Sequence, residues 1–217
     1  NIPKWRWNWG QYSRVEDPCY DSKDNIFKDK DVDPIGEPGN KCISLEAQNH
    51  PNGITVYDNI NNYDGNNLYR YPVKKYYSTS QILSSGINYG TNTIKQDYSF
   101  TYGWFEIRCK LPTAKYAWPA FWVFNGEGGT AGYNEIDVFE LGANDAIIHT
   151  NHWINPDQKL KYTWGDYTYA LPGQTFGGKW ITYAMICERN KIICYINNKP
   201  VRIIRDIYSF TIYGTDN

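Results

Sequence analysis

The chain has 217 residues and a formal net charge of −1, so it offers no bulk attraction to nucleic acid or an anionic membrane. No apolar run reaches the roughly 18 residues of a membrane span, and the length suits one large core, as in all-β sandwiches. Aromatic residues make up 17%, with 20 Tyr and 9 Trp; such rings fill cores and cross-strand pairs, and they also stack on the apolar C–H faces of sugars.

The start, Asn1-Ile2-Pro3-Lys4, does not open a signal peptide. From there the signal is strand after strand. Lys41 to Ala47 sets Cys42, Ile43 and Leu45 among polar neighbours. Asp58 to Asn67, rich in Asn and Asp, reads as a loop. Ser78 to Gly86, Gly103 to Leu111, Ala120 to Phe124, Asn134 to Leu141, Ala146 to Trp153 and Trp180 to Glu188 read as strands. Lys191 to Ile196 closes a hairpin, and Asn197-Asn198-Lys199 is the next turn. Clusters such as Glu37-Pro38-Gly39-Asn40 and Gly126-Glu127-Gly128-Gly129 punctuate the strands. No helix-period segment exceeds a turn or two, and there is no long repeat and no interdomain linker. Residues 1–217 therefore read as a single all-β domain, a two-sheet antiparallel β-sandwich in which a curved sheet would offer a groove.

The five cysteines, Cys19, Cys42, Cys109, Cys187 and Cys194, show no CxxC pair and no metal-ligand spacing. Cys109 alternates with Phe105 and Ile107 and reads as a small buried hydrophobe. Cys187 and Cys194 flank the Glu188-Arg189-Asn190-Lys191 turn, and the register decides whether they face each other.

One segment stands out. Asn134-Glu135-Ile136-Asp137-Val138-Phe139-Glu140-Leu141-Gly142 puts three carboxylates within six residues of an apolar, strand-forming run. Scattered acids on a strand are ordinarily a solvated edge. Buried, each would cost several kcal/mol unless something used it. Alternation places Glu135 and Asp137 on one face and Glu140 on the other. One extra residue, a β-bulge at Val138-Phe139, would bring all three to the same face. The two Glu would then stand about 12–13 Å apart along the backbone at ~3.3 Å per residue. Leaning inward over the short Asp, their carboxyls reach about 5–5.5 Å, the separation for double-displacement glycoside hydrolysis.

Three segments together resemble glycoside hydrolase family 16. They are Tyr102-Gly103-Trp104-Phe105-Glu106-Ile107-Arg108-Cys109-Lys110-Leu111-Pro112, Trp118-Pro119-Ala120-Phe121-Trp122, and Glu135-Ile136-Asp137-Val138-Phe139-Glu140. Tyr77-Ser78-Thr79-Ser80-Gln81-Ile82 and Trp180 to Lys199 are similar to family strands too. The resemblance spans residues 40–200, and the acid spacing matches the family's bulged branch, which holds laminarinases and marine galactanases. It implies a jelly-roll, concanavalin-like sandwich with a substrate cleft on the concave sheet. It implies that Glu135 is the nucleophile, Glu140 the general acid/base and Asp137 the residue between them that tunes the nucleophile. Trp118 and Trp122 would stack on sugars. Glu106 and Arg108, opposite in phase to Phe105 and Ile107, would face the cleft. In His149-Thr150-Asn151-His152-Trp153 the resemblance favours His152 beside the acids, with Asn151 and Trp153 contributing; strand parity leaves His149 with Asn151 as the competing face.

The activity so implied is that of a retaining endo-β-glycanase on β-1,3-glucan or mixed-linkage glucan. Rival readings are an endo-hydrolase of algal galactans, for which Lys74-Lys75 and Lys159/Lys161 are the candidate cations, and a lectin-like binding domain of the same fold. The resemblance implies no cofactor in catalysis and no catalytic metal. Many members carry a structural Ca²⁺ held by residues near both termini, and both ends of this chain depart from the family. Its end, Ile203 to Tyr213, lacks the family's terminal Val-Asp-Tyr-Val-Arg-Val strand, so an incomplete or remodelled terminus is expected. The implied partner is a polysaccharide, the expected state a monomer, and the expected location secreted, periplasmic or cell-surface.

Overall fold

The computed structural model describes residues 19–31, 41–61, 68–82, 86–88, 93–95, 102–125, 134–142, 145–155, 160–189 and 191–204. In chain order the strands are β1 (Cys19–Asp21), β2 (Ile26–Asp31), β3 (Lys41–Leu45), β4 (Gln48–Asn61), β5 (Leu68–Thr79), β6 (Gly86–Asn88) and β7 (Thr93–Lys95). There follow β8 (Gly103–Lys110), β9 (Ala120–Asn125), β10 (Asn134–Leu141), β11 (Ala146–Asn155), β12 (Leu160–Tyr169), β13 (Trp180–Glu188), β14 (Lys191–Ile196) and β15 (Lys199–Ile204). A single 3₁₀ turn at Lys23–Asn25 is the one helical element among the described residues. The expected all-β architecture holds.

The chain divides into two compact units, residues 1–99 and 100–217. In the first, β4 and β5 form a long antiparallel hairpin, β1 runs parallel to β5, and β2–β3 and β6–β7 are antiparallel pairs. Two sequence expectations shift here. Of the loop expected over Asp58 to Asn67, Asp58 to Asn61 is the last stretch of β4, paired with Tyr71 to Leu68, because a cross-strand ladder overrides the weak strand propensity of Asn and Asp, and residues 62–67 lie outside the described residues. The strand expected from Ser78 instead ends at Thr79. Asn25 helps to close this unit: its buried amide donates to Ser78 Oγ (2.8 Å) and to the Glu46 carbonyl (3.0 Å).

The second unit is an antiparallel sandwich of two four-stranded sheets, ordered β12-β11-β10-β9 and β15-β14-β13-β8. Two apolar clusters glue the sheets together. Ile136 and Val138 of β10 meet Met185, Cys187, Ile192, Cys194 and Ile204 of the facing sheet. Phe139, Leu141 and Ile147 meet Leu111, Phe176, Ile181 and Tyr183. Alternation then dictates what lies outside: in β8, Phe105, Ile107 and Cys109 pack inward while Trp104, Glu106 and Arg108 are exposed. The β14–β15 turn is the expected hairpin, with Asn197 and Asn198 both at positive φ (48° and 62°), as a type I′ turn requires. Between β10 and β11, the Asp145 carboxylate accepts from the backbone N–H of Phe176 and Gly177 and so pins the loop before β13.

Cys109, Cys187 and Cys194 are free thiols. The register settles the hairpin question: Cys187 stands opposite Ile192 and Cys194 opposite Met185, so the two are offset rather than paired. Burial pushes the Cys187 thiol up to about 11 and the Cys194 thiol up to about 12.

Tyr183 is fully buried, its ring 4.4 Å from that of Phe139, and its hydroxyl has no hydrogen-bond partner among the described residues. Burial first, and then the neighbouring Cys109 and Asp145, raise its pKa well above the usual phenol range. Removing a buried, unanswered hydroxyl relieves a desolvation cost. Tyr183→Phe is therefore expected to leave stability unchanged or raise it by up to about 1 kcal/mol, read from the urea midpoint at constant m. A drop of that size would show a bonded hydroxyl instead.

Candidate active site

The acids lie on β10, the second strand from the edge of the sheet. Toward β11, Asp137 pairs with Thr150 and Glu140 with Ile148, so Val138 and Phe139 together oppose His149. Toward β9, Asp137 pairs with Trp122 and Phe139 with Phe121, leaving Val138 without a partner. This is the β-bulge expected from the spacing, at the expected residues. Its consequence is visible in burial: Val138 and Phe139 both go into the core, while Glu135, Asp137 and Glu140 share the other face.

Around the acids that face fills in by register. Trp122 lies beside Asp137 on β9, and His152 beside Glu135 on β11. One ligand-type atom each from Glu135, Asp137 and His152 lie within 4.8 Å of one another. These are donor types a divalent cation accepts, and equally a compact set for proton and charge transfer. His152 Nε2 is 3.7 Å from Asp137 Oδ2, and its Nδ1 lies 2.8 Å from Thr163 Oγ1 on β12, which fixes the ring. Asp137 itself is 3% exposed.

Glu140 is held at both oxygens. The Trp118 indole N–H donates to Oε1 at 2.7 Å, and the Thr150 hydroxyl donates to Oε2 at 3.1 Å. Trp118 is 55% exposed, so it is a surface ring tied to the acid and not a core residue. Thr150 escaped the sequence reading, yet strand parity with His152 already placed it on the acid face. Further along β12, Tyr167 and Tyr169 are exposed on that face with their rings 6.0 Å apart.

Four expected site residues do not join this group. Glu106 and Arg108 have the predicted phase, but β8 pairs with β13, so they lie on the outer face of the other sheet. There Glu106 accepts from the Trp104 indole (3.0 Å) and Arg108 lies over the Trp180 ring (5.6 Å). Asn151 is fully buried and points to the core side of β11. Trp153, two residues on, shares its side of the strand and not that of His152. His149 also falls on the core side, which closes the alternative between the two histidines in favour of His152. The residues expected to hold Ca²⁺, near the two termini, fall outside the described residues.

Comparison with known proteins bears on the family and the fold. The family model for glycosyl hydrolases family 16 matches residues 56–212. Glucan endo-1,3-beta-glucosidase A1 of Niallia circulans is 30% identical over 115 residues, which covers 51% of this chain and 17% of that protein. Endo-1,3-1,4-beta-glycanase EglC of Rhizobium meliloti (strain 1021) is 36% identical over 78 residues, 33% of this chain and 16% of that protein. The chain thus spans a minor part of the length of these curated relatives. Among solved structures, a glycoside hydrolase family 16 endo-glucanase from Bacteroides ovatus superposes with TM-score 0.66 at 17% identity, covering 98% of this chain and 77% of that one. The laminarinase catalytic domain of Thermotoga maritima MSB8 gives 0.59 at 18% identity, covering 94% and 72%. Those likenesses carry the fold. With the matched family model spanning most of the sequence and the acid strand at its centre, the chain belongs to glycosyl hydrolases family 16.

Proposed function

We propose that this chain is a secreted or cell-surface endo-β-glycanase that cleaves β-1,3-glucan or mixed-linkage β-1,3-1,4-glucan with net retention. The observation that carries the reading is the bulged strand itself, which sets two glutamates on one face with a buried aspartate between them. In this reading Glu135 attacks the anomeric carbon, and Glu140 protonates the leaving oxygen and then activates the incoming water. Asp137 and His152 orient Glu135. Trp122, Tyr167 and Tyr169 give sugar rings apolar faces to lie on. The names of the relatives supply the substrate class: a glucan endo-1,3-beta-glucosidase, an endo-1,3-1,4-beta-glycanase and a laminarinase.

A kappa-carrageenase from Pseudoalteromonas carrageenovora also shares the fold (TM-score 0.55), but a sulfated galactan calls for clustered exposed cations. Of the Lys74-Lys75 pair only Lys74 is exposed, and Lys159 and the Lys161 side chain lie outside the described residues. A binding-only role needs aromatics and hydrogen bonds, not two glutamates and an aspartate brought to one face by a bulge.

Incubation with a polysaccharide panel, with fresh products followed by NMR, tests the reading. The β anomer is expected first; early α anomer would mean inversion and remove Glu135 as nucleophile. Glu135→Ala should cost four or more orders of magnitude in turnover, about 5 kcal/mol or more at ~1.36 kcal/mol per decade, with the fold intact. Glu140→Gln keeps shape but cannot donate a proton, so it should slow natural glycans far more than an aryl glycoside with a good leaving group. Equal loss on both substrates would take the acid role from Glu140.

Trp118 adds a further expectation. Trp118→Phe keeps an aromatic face, though a smaller one, and removes the N–H that holds Glu140 Oε1. A hydrogen bond to a charged group contributes about 1.5–3 kcal/mol, so kcat should fall roughly ten- to a hundredfold with KM little changed. A rise in KM at constant kcat would make Trp118 a sugar platform alone.

A further inference from the structure

His149 is 1% exposed, a fully buried ionisable ring that the proposed reaction does not use. Its place in the ladder is unusual, since it is the single residue of β11 that faces two residues of β10. Its Nδ1 lies 2.8 Å from the carbonyl oxygen of Val138, the residue that has no register partner on either side. A carbonyl can only accept, so Nδ1 carries the proton. Nε2 of the neutral ring is then an acceptor, and the Thr168 hydroxyl on β12 stands 3.3 Å from it. The ring therefore spans from the bulge on β10 to β12, on the face opposite the acids.

We infer that His149 is a positioning residue for the acid pair: its Nδ1–H clamps the Val138 carbonyl and so fixes the bulge that aims Glu140. The inference rests on reading Glu135 and Glu140 as the reacting pair. A bulge takes residues out of the ladder that would otherwise hold them. Buried carbonyls must be answered, and here a side chain answers the Val138 carbonyl. Glu140 follows Val138 by two residues, so a slip at that carbonyl moves the acid directly. Misplacing a catalytic group by about 1 Å can cost roughly 100-fold in rate.

The ring is suited to this by staying neutral. Burial lowers the His149 pKa from the ordinary 6.5, and Arg202 of β15 adds to that. The hydrogen bond to Val138 and the charge of Asp166 on β12 act the other way but are outweighed. Between the lowered folded value and 6.5 the unfolded chain holds the extra proton, so stability from the neutral ring is complete above pH 6.5 and drains as pH falls toward the folded pKa.

Two substitutions separate a clamp from a merely well-packed histidine. The His149→Asn side chain carries an amide nitrogen where Nδ1 was and can still donate to Val138. The His149→Gln side chain places its amide near Nε2, at the Thr168 end. On whichever glycan the wild type hydrolyses fastest, Gln should lower kcat roughly 100-fold with KM within about threefold, and Asn should stay within about fivefold of wild type. Equal kcat loss in both, or a Gln variant that melts earlier but turns over normally, would overturn the inference. Nitrogen-15 NMR of the wild type gives a readout free of activity and of variant folding. Of the chain's 3 histidines, one ring should show the Nδ1–H tautomer and stay neutral below pH 6.5. An Nε2–H tautomer at His149 would rule out the clamp. A wild type that hydrolyses no glycan would sink the functional reading, while the tautomer still decides whether the clamp exists.

Discussion

Val138 stands outside both hydrogen-bonded ladders of its strand, and the acid face depends on that one-residue slip. In a regular strand Glu140 would occupy the inward phase now held by Phe139, a residue packed against Tyr183. Restoring regular alternation would bury a carboxylate, at several kcal/mol, and push an aromatic ring outward, at about 1.5–3 kcal/mol. The bulge avoids both costs by turning two consecutive side chains inward. Val138 enters one apolar cluster and Phe139 the other, so the core grips the slip from both sides. Hydrophobic packing, not the acids, keeps the strand out of register, and the acids exploit the phase that results.

The same alternation explains why the two sheets present such different chemistry. In the β12-β11-β10-β9 sheet the inward positions of β9, β10 and β11 pack on the core, so the outward positions are left to carry Trp122, the acids, Thr150, His152, Tyr167 and Tyr169. The other sheet obeys the same rule, and among its outward residues Trp104 donates to Glu106 while Arg108 lies over the Trp180 ring.

How much of this could be read from the residues follows from which signals are local. Three acids in an apolar run are costly, and that cost pointed to a bulge at Val138-Phe139 before any coordinates. The phase of Glu106 and Arg108 was equally legible, but the identity of the sheet that holds β8 is a long-range fact that periodicity does not carry. Strand β12 hid for a different reason. Its inward positions include Asp166 and Thr168, which face Arg202 and His149 rather than apolar groups, so the usual apolar alternation is missing. The choice between His149 and His152 needed the position of the bulge relative to β11. Once Asp137 is set opposite Thr150, His152 must share a face with Glu135 and His149 must go to the core.

The two glutamates are held in unlike ways, and the difference suits the unlike tasks proposed for them. Glu135 lies with Asp137 and His152, one ligand-type atom of each within 4.8 Å of the others. Glu140 is instead held by two uncharged groups, the Trp118 indole and the Thr150 hydroxyl. A residue that gives up a proton in one step and takes one in the next must keep its position while its charge alternates. The indole can only donate, so Oε1 remains an acceptor in either state. The hydroxyl can donate to an ionised Oε2 or turn to accept from a protonated one. Oε2 is therefore the oxygen on which a proton can come and go without breaking the contacts that aim Glu140, and Thr150 is the group that absorbs the change.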